Sequence, residues 1–214
     1  MQLISVNVGQ PRTLSWRGRD ASTGIFKSPV AGPVMARHHN LDGDRQADLT
    51  VHGGADKAIY VYPSEHYAFW REELPGVDLP WGMFGENFTT EGVLEADAHI
   101  GDRWRVGAAE VMVTEPRMPC YKLGLKFGRA DRVKRFLASR RTGFYLAIVQ
   151  PGLVAAGHAI EVIHRDPHGV SVAEITRVYA ADRGDAVAIR RLLEVDALPE
   201  GWRSYLEQQL AELL

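Results

Sequence analysis

A chain of 214 residues with 45% hydrophobic residues, 24% charged residues and a net charge of −2 can bury a sizeable core and has the make-up of an ordinary globular protein. Its single cysteine, Cys120, excludes an internal disulfide and with it any dependence of the fold on an oxidising compartment. The N-terminus, MQLISVNVGQP, lacks a basic region and a long apolar run. No stretch approaches the roughly 20 apolar residues of a membrane span, so the expectation is a cytoplasmic protein without a membrane partner.

Up to about residue 165 the chain reads mostly as short strands. In LISVNVG (3–9), Leu3, Ser5 and Asn7 alternate with Ile4, Val6 and Val8, the period of a strand. KAIYVYP (57–63) and AEVMVTEP (109–116) are β-branched and aromatic runs closed by proline, and a Gly-Asp turn at 101–102 precedes RWRV. FYLAIVQPG (144–152) and HAIEVIHRD (158–166) follow, separated by the turn-like PGLVAAG. Two helices interrupt the strands. PSEHYAFWREEL (63–74) offers Ser64 as a cap and Tyr67, Trp70 and Leu74 on one side, and ADRVKRFLASRR (130–141) places Val133, Phe136 and Leu137 on one face. Many short strands with Gly and Pro turns predict a mainly β, closed or sandwiched structure over residues 1–165.

After HRDPHG (164–169), which reads as a linker, the pattern turns helical. Ser171 and Glu174 have the spacing of a capping box, Val187 and Ile189 stand near Leu192 and Leu193, and Trp202, Tyr205, Leu206, Leu210 and Leu213 form a helical stripe. Residues 170–214 are therefore expected to form a small three-helix domain.

Four stretches carry candidate chemistry. The first is EPRMPCYKLGLKFGR (115–129). An isolated cysteine is more often a small buried hydrophobe than a reactive group. Against that, residues 117–141 hold nine basic residues and one acid, Asp131, a local charge of +8 in a chain of −2. Cations favour the thiolate, the form that binds metal or attacks, and Pro116 and Pro119 restrict the backbone around the sulfur. Part of the cluster must be the solvated face of helix 130–141, which leaves Arg117, Lys122 and at most Lys126 and Arg129 as site cations. One cysteine with scattered histidines does not give the four-ligand spacing of a zinc site.

The second stretch is DLTVHGGADKAIYVYP (48–63). His52, Gly53 and Gly54 suggest a tight turn whose N–H groups, with Lys57, hold an anion; an ordinary turn with a capping histidine is the alternative. The spacing is not that of a Walker loop. In GMFGENFTTEG (82–92), Glu86 and Asn87 either orient a substrate or cap a turn. In TGIFKSPV (23–30), Lys27 lies in a short strand ahead of a proline, where an exposed lysine is the commoner arrangement. No Ser/His/Asp order and no paired-carboxylate spacing is visible.

Together, TGIFKSPV, GDRQADLTVHGGADKAIYVY, GMFGENFTTEGV, IGDRWRVG and VTEPRMPCYKL resemble the MOSC domain family, named for the C-terminal domain of molybdenum cofactor sulfurases. The stand-alone bacterial branch related to the 6-N-hydroxylaminopurine resistance protein matches best, since it carries a three-helix C-terminal domain that residues 170–214 fit. The resemblance implies a MOSC-type β-barrel with a few helices that binds molybdenum cofactor, with Cys120 as the protein ligand to the metal. Anchoring of the pterin and its phosphate then falls to Lys27, His52, Gly53, Gly54, Lys57, Asn87, Arg117 and Lys122, with His52 and Glu86 as the titratable groups to supply protons; pyridoxal phosphate is not expected.

The activity so implied is the two-electron reduction of N-hydroxylated bases or similar small molecules to amines. No flavin, haem or iron–sulfur motif is present, so the electrons are expected from a separate reductase. The C-terminal helices either dock that partner or cover a barrel surface. The rival readings are a carrier of molybdenum cofactor, a sulfur carrier with a persulfide on Cys120, and a nucleic-acid-binding module; no specific nucleic-acid motif supports the last.

Overall fold

The computed structural model describes residues 1–47 and 53–213. The β-branched and aromatic runs become strands β1 (Gln2–Val8), β2 (Arg12–Trp16), β3 (Arg19–Thr23), β4 (Ser28–Pro29), β5 (Val34–Arg37), β6 (Asn40–Leu41) and β7 (Ile59–Pro63). After these come β8 (Phe88–Glu91), β9 (Arg103–Val106), β10 (Ala109–Pro116), β11 (Phe144–Gln150), β12 (Gly152–Val154) and β13 (Ile160–His164). The helices are α1 (Glu65–Glu73), α2 (Tyr121–Lys126), α3 (Arg132–Ser139), α4 (Val172–Ala180), α5 (Ala186–Leu193) and α6 (Glu200–Glu212).

Eight strands form one sheet in the order β13-β9-β10-β11-β7-β8-β1-β4, antiparallel throughout except for the parallel pair β7–β8. The sheet curls back on itself. Residues leading into β13 meet the start of β1 through a bridge between Gln2 and Ala159 and through backbone bonds from Leu3 to His158 and from Gly157 to Leu3. Such closure removes exposed edges and gives the half-barrel its inside. The expected mainly β fold with a C-terminal helical domain is what the chain adopts.

The alternation read in residues 3–9 does not survive intact. The register of β1 against β8 shifts between Leu3 and Ser5, so Ile4 is an extra residue, and Leu3, Ser5, Val6 and Asn7 are all buried. A second bulge matters more. In β10, Val113 pairs with Leu146 and Glu115 with Tyr145, leaving Thr114 as the additional residue. Its hydroxyl donates to the carbonyl of Asp56 at 2.6 Å, which ties the one-turn 3-10 helix Ala55–Lys57 to the strand.

Two apolar clusters hold the fold. The larger fills the barrel with Leu3, Val6, Phe88, Trp104, Val111 and Phe144 and continues without a break into Val172, Ile175, Ile189, Leu192, Trp202 and Leu206 of α4–α6. Of the stripe read in the last helix, Trp202 and Leu206 are buried against the barrel and Tyr205 and Leu210 partly so, while Leu213 at the end is exposed. The second cluster is aromatic: Tyr62, Tyr67, Trp70, Phe84, Leu123 and Phe136 pack under α1–α3, with Trp70 stacked on Phe136 at 5.4 Å and its indole donating to the Tyr62 hydroxyl at 2.6 Å. The Ser171–Glu174 capping box is present at α4. By contrast, Ser64 makes no side-chain capping bond at α1, and Val187 is 77% exposed because Ile189 and Leu192 define the buried side of α5.

The loop 82–87 is built around a buried acid. Glu86 accepts from the backbone N–H groups of Gly82 (2.7 Å) and Phe84 (3.0 Å), from the Thr89 hydroxyl (3.1 Å) and from the Tyr67 hydroxyl. Burial pushes its pKa up, opposed by those donors. The flanking glycines are obligatory: φ is +85° at Gly82 and +88° at Gly85, and a Cβ at Gly85 would stand 2.7 Å from Ile25. Lys126 then clips this loop to the loop before β4, its ammonium donating to the carbonyls of Gly82 (2.6 Å) and Ile25 (3.0 Å); burial lowers its pKa to about 8.

Replacing Glu86 by alanine orphans two buried N–H groups and the Thr89 hydroxyl proton, and leaves the Tyr67 hydroxyl only a long bond to the Pro80 carbonyl at 3.3 Å. We expect Glu86→Ala to lose about 2–4 kcal/mol of stability in urea unfolding, and Glu86→Gln, which keeps an acceptor oxygen, to lose less.

Candidate functional site

Strand β10 ends at Pro116, and the chain then runs Arg117, Met118, Pro119 and Cys120 into the first turn of α2. This turn forms one wall of an open cleft. Facing walls come from residues 23–27, residues 44–47, Phe84, Gly85 and Asn87, while Tyr60 of β7 and Tyr145 of β11 supply two phenols.

Cys120 is the N-cap residue of α2, extended at φ −120° and ψ 174°, and its side chain makes no capping hydrogen bond. The sulfur is half-buried and borders the cleft. From Tyr121 the chain is helical, a helix that the sequence analysis does not anticipate, anchored by Leu123 in the aromatic cluster.

The cleft is cationic. Lys27, Arg45, Lys57, Arg117 and Lys122 line it, against one acid, Asp44, among the described residues. Two of these cations are matched. Lys27 meets Asp44 at 2.5 Å, with burial lowering the lysine pKa and the carboxylate opposing it. Lys57 lies 3.5 Å from Glu115. Arg117 differs. It is only 5% exposed, its guanidinium sits 5.2 Å from the ring centres of both Tyr60 and Phe136, and its Nη1 has no hydrogen-bond partner. A buried guanidinium nitrogen without an acceptor is costly.

Six of the residues singled out from sequence share this cleft: Lys27, Lys57, Asn87, Arg117, Cys120 and Lys122. Asn87 uses its amide on the protein, donating to Asp44 at 2.9 Å and accepting from the Tyr60 N–H at 3.1 Å, so it braces the wall. Lys27 precedes the two-residue β4 and does not lie within a strand. Glu86 is fully buried behind Gly85 and does not line the cleft; its carboxylate is committed to loop 82–87. Gly54 has φ +97° and ψ 175°, a conformation reserved for glycine, and opens the turn that carries Lys57, but Gly53 and Gly54 are not among the cleft residues. His52 lies outside the described residues. Of the remaining basic cluster, Lys126 serves the loops described above, Arg129 pairs with Asp131 at 3.0 Å, and Arg135 pairs with Glu73 at the surface.

Asp44, Arg45, Tyr60, Phe84 and Tyr145 were not singled out from sequence. Tyr60 and Tyr145 reach the cleft from strands of the large sheet and Asp44, Arg45 and Phe84 from loops, and no local motif separates them from strand or loop residues that face elsewhere.

Among the described residues no helix is long and apolar enough to cross a membrane, and no group of three or more His, Cys, Asp or Glu residues is placed to hold a metal ion. Residues 48–161 match the MOSC domain, a family associated with the molybdenum cofactor, and residues 170–213 match the YiiM-like 3-alpha helix domain. YflK of Bacillus subtilis is 41% identical over 212 residues, covering 99% of this chain and 96% of that protein. The crystal structure of YiiM from Geobacillus stearothermophilus superposes with a TM-score of 0.82 at 33% identity and covers 98% of both chains. A protein of Gibberella moniliformis named "Reductase" is 31% identical over 185 residues; the match takes in 85% of this chain and 32% of that protein. The chain belongs to the MOSC domain family, with the YiiM-like three-helix domain at its C-terminal end.

Proposed function

We propose that the cleft holds molybdenum cofactor, with Cys120 as the protein ligand to the metal, and reduces N-hydroxylated bases or related compounds to amines with electrons from a separate reductase. The observation that carries this reading is the buried Arg117 nitrogen without a partner, beside a half-buried sulfur in a cleft with five cations and one acid. The residues suit such a group. A soft thiolate fits a metal already bound by sulfur, and the phosphate of the pterin needs cations and N–H donors once it leaves water. Arg117, Lys122 and Lys57 are the residues assigned to the anionic part. The similarity to a fungal protein named a reductase agrees with redox chemistry.

When bound, the cofactor supplies the two-electron chemistry that side chains lack. The balance is one N-hydroxyl compound, two electrons and two protons giving one amine and one water. The protein's share is orientation and proton delivery. Glu86 is committed elsewhere, and Tyr60 donates its hydroxyl proton to the Thr142 carbonyl at 2.7 Å. Tyr145 is the other phenol in the cleft, and its hydroxyl is hydrogen-bonded with the Arg117 guanidinium. Burial pushes its pKa up to about 12 while the Arg117 charge works the other way. At neutral pH it therefore holds its proton, and the neighbouring guanidinium offsets part of the cost of the phenolate left after transfer. We assign Tyr145 the proton donor's role at the departing oxygen.

Protein purified from cells that make the cofactor is expected to contain molybdenum in near-equal molar ratio, and Cys120→Ser to lose both the metal and the dithionite-driven reduction of an N-hydroxylated purine by at least about tenfold. Normal reduction by the variant would remove Cys120 from the chemistry. Bound cofactor with no turnover under any donor would indicate a carrier, and a mass gain of one sulfur on Cys120 a sulfur carrier. Tyr145→Phe should keep its molybdenum and its KM while kcat falls about a hundredfold, a typical loss for a general acid; an unchanged kcat would assign the proton elsewhere.

A further inference from the structure

The hairpin of β2 and β3 stands apart from both larger sheets. Its strands pair only with each other, from Arg12 opposite Thr23 to Trp16 opposite Arg19, and of its strand residues only Ala21 and Thr23 are buried. A two-stranded ribbon adds little stability of its own, so its contribution lies outside the core. Residues directly opposite one another share a face, and the register therefore sorts the side chains. Arg12, Leu14, Trp16, Arg19, Ala21 and Thr23 lie on one face, with Asp20, the hairpin's one acid, on the other. The first face runs into the cleft, since Thr23 and the following Gly24 and Ile25 line it. Its arginines are exposed, and Leu14 and Trp16 are half-buried. Two further cations extend the strip. At the tip, φ is positive at both Arg17 (52°) and Gly18 (75°), the pattern of a type I′ turn, for which Asn-Gly is the usual pair. An arginine there takes a conformation unfavourable to a long side chain, and its guanidinium lies 5.8 Å from the Trp16 ring. At the base, exposed Arg45 lines the cleft, and a Cβ at Gly24 would stand 2.4 Å from the Arg45 carbonyl. Among the described residues none of Arg12, Arg17, Arg19 and Arg45 meets a carboxylate.

The geometry points to this face as the docking surface of the electron donor, a protein with an acidic surface around its electron-carrying group. The inference rests on the redox reading of the cleft. Three features select such a partner. The chain carries −2 overall, so an acidic protein is drawn to it only where cations gather, and unpaired arginines beside the cleft steer it to the place where electrons are used. Tryptophan and arginine are the residue types that carry most binding energy at interfaces. A hairpin face is also small, the class of interface used by electron-transfer encounters, which must release between successive deliveries. Nucleic acid fits less well. Trp16 is the only aromatic residue on the face, so successive bases have no second ring on which to stack.

Flavodoxin, a small acidic flavoprotein, is the probe. Two flavodoxin hydroquinones, each oxidised to the semiquinone, supply the two electrons of one turnover, and the two protons come from water. Oxidised flavodoxin should bind the full-length chain made in cells unable to produce the cofactor, with affinity falling about tenfold between about 20 and about 200 mM salt. Arg17→Glu combined with Arg19→Glu should weaken binding about tenfold and flatten the salt dependence. Trp16→Ala should weaken it about threefold to tenfold. Arg183→Glu with Arg190→Glu, an equal change of net charge on the C-terminal helices, should bind as wild type does. In molybdenum-loaded protein, Arg17→Glu with Arg19→Glu should slow reoxidation of flavodoxin hydroquinone about tenfold and keep dithionite-driven reduction within about twofold of wild type. Affinity unchanged by the hairpin substitutions, or lost equally in the Arg183 and Arg190 variant, overturns the docking surface alone. So does a wild type that turns over with dithionite yet neither binds flavodoxin nor oxidises its hydroquinone. A single-stranded oligonucleotide that binds more tightly than flavodoxin and loses affinity in the hairpin variant reassigns the face to nucleic acid. No turnover by loaded wild type with either donor overturns the docking surface together with the redox reading.

Discussion

The extra residue at Thr114 in β10 is the constraint on which the cleft depends. A strand that kept its period would send Glu115 and Arg117 to the faces opposite those they occupy. With the bulge, Thr114, Glu115, Pro116 and Arg117 are all buried, and the residues after them enter the cleft wall in order. Three attachments follow from this one irregularity. The Thr114 hydroxyl fixes the turn that carries Lys57, Glu115 meets both Lys57 and Trp202, and the Arg117 guanidinium lies between Tyr60 and Phe136. Cys120 can then begin α2 only a few residues beyond an anchored strand, with its sulfur uncommitted to capping.

Charge is sorted by burial. The cations of α3 and its approach are mostly exposed, and their ion pairs, such as Arg129 with Asp131, contribute at most about 1 kcal/mol each. The cleft cations matter more because they are partly desolvated. Lys27 and Lys57 meet carboxylates, which leaves Arg117 as the strongest local demand for an acceptor. An unpaired buried N–H of this kind costs about 1–3 kcal/mol until something accepts from it. Any acceptor that reached this nitrogen would recover that cost.

Much of this was legible in the residues, for reasons that can be named. The Ser171–Glu174 spacing marks a helix start because both halves of the box are local, and it is realised at α4. The runs at 57–63, 109–116 and 144–150 declare strands through β-branched and aromatic content. What was not legible is non-local or masked by an unfavourable neighbour. Helix α2 is six residues long, follows Pro119 and contains Gly124, so propensity argues against it. The glycine is there because a Cβ would come within 3.0 Å of the Arg129 carbonyl. For Glu86 the sequence left open whether it orients a substrate or caps a turn; its partners, Tyr67 and Thr89, come from a helix and a strand that no local pattern places beside it. Tyr60 and Tyr145 sit on adjacent strands at paired positions, which only the sheet order reveals.

The buried acids bear on what kind of site this is. Asp44, Glu86, Glu95, Asp102 and Glu115 are all nearly inaccessible, and every one is engaged. Asp44 accepts from the Gly9 N–H, Glu86 from Gly82 and Phe84, Glu95 from Gly143, and Asp102 from Asp166, while Glu115 holds Trp202 and Lys57. Four of the five thus stabilise loops by accepting backbone N–H bonds, and the fifth links two layers. The cleft among the described residues is left with cations, phenols, a thiol and one neutralised acid. That inventory lacks the pair of free carboxylates on which general acid–base hydrolysis of a neutral substrate would rest. It suits instead the tight holding of an anionic group beside a soft sulfur, with acidity supplied by a phenol under the influence of a guanidinium.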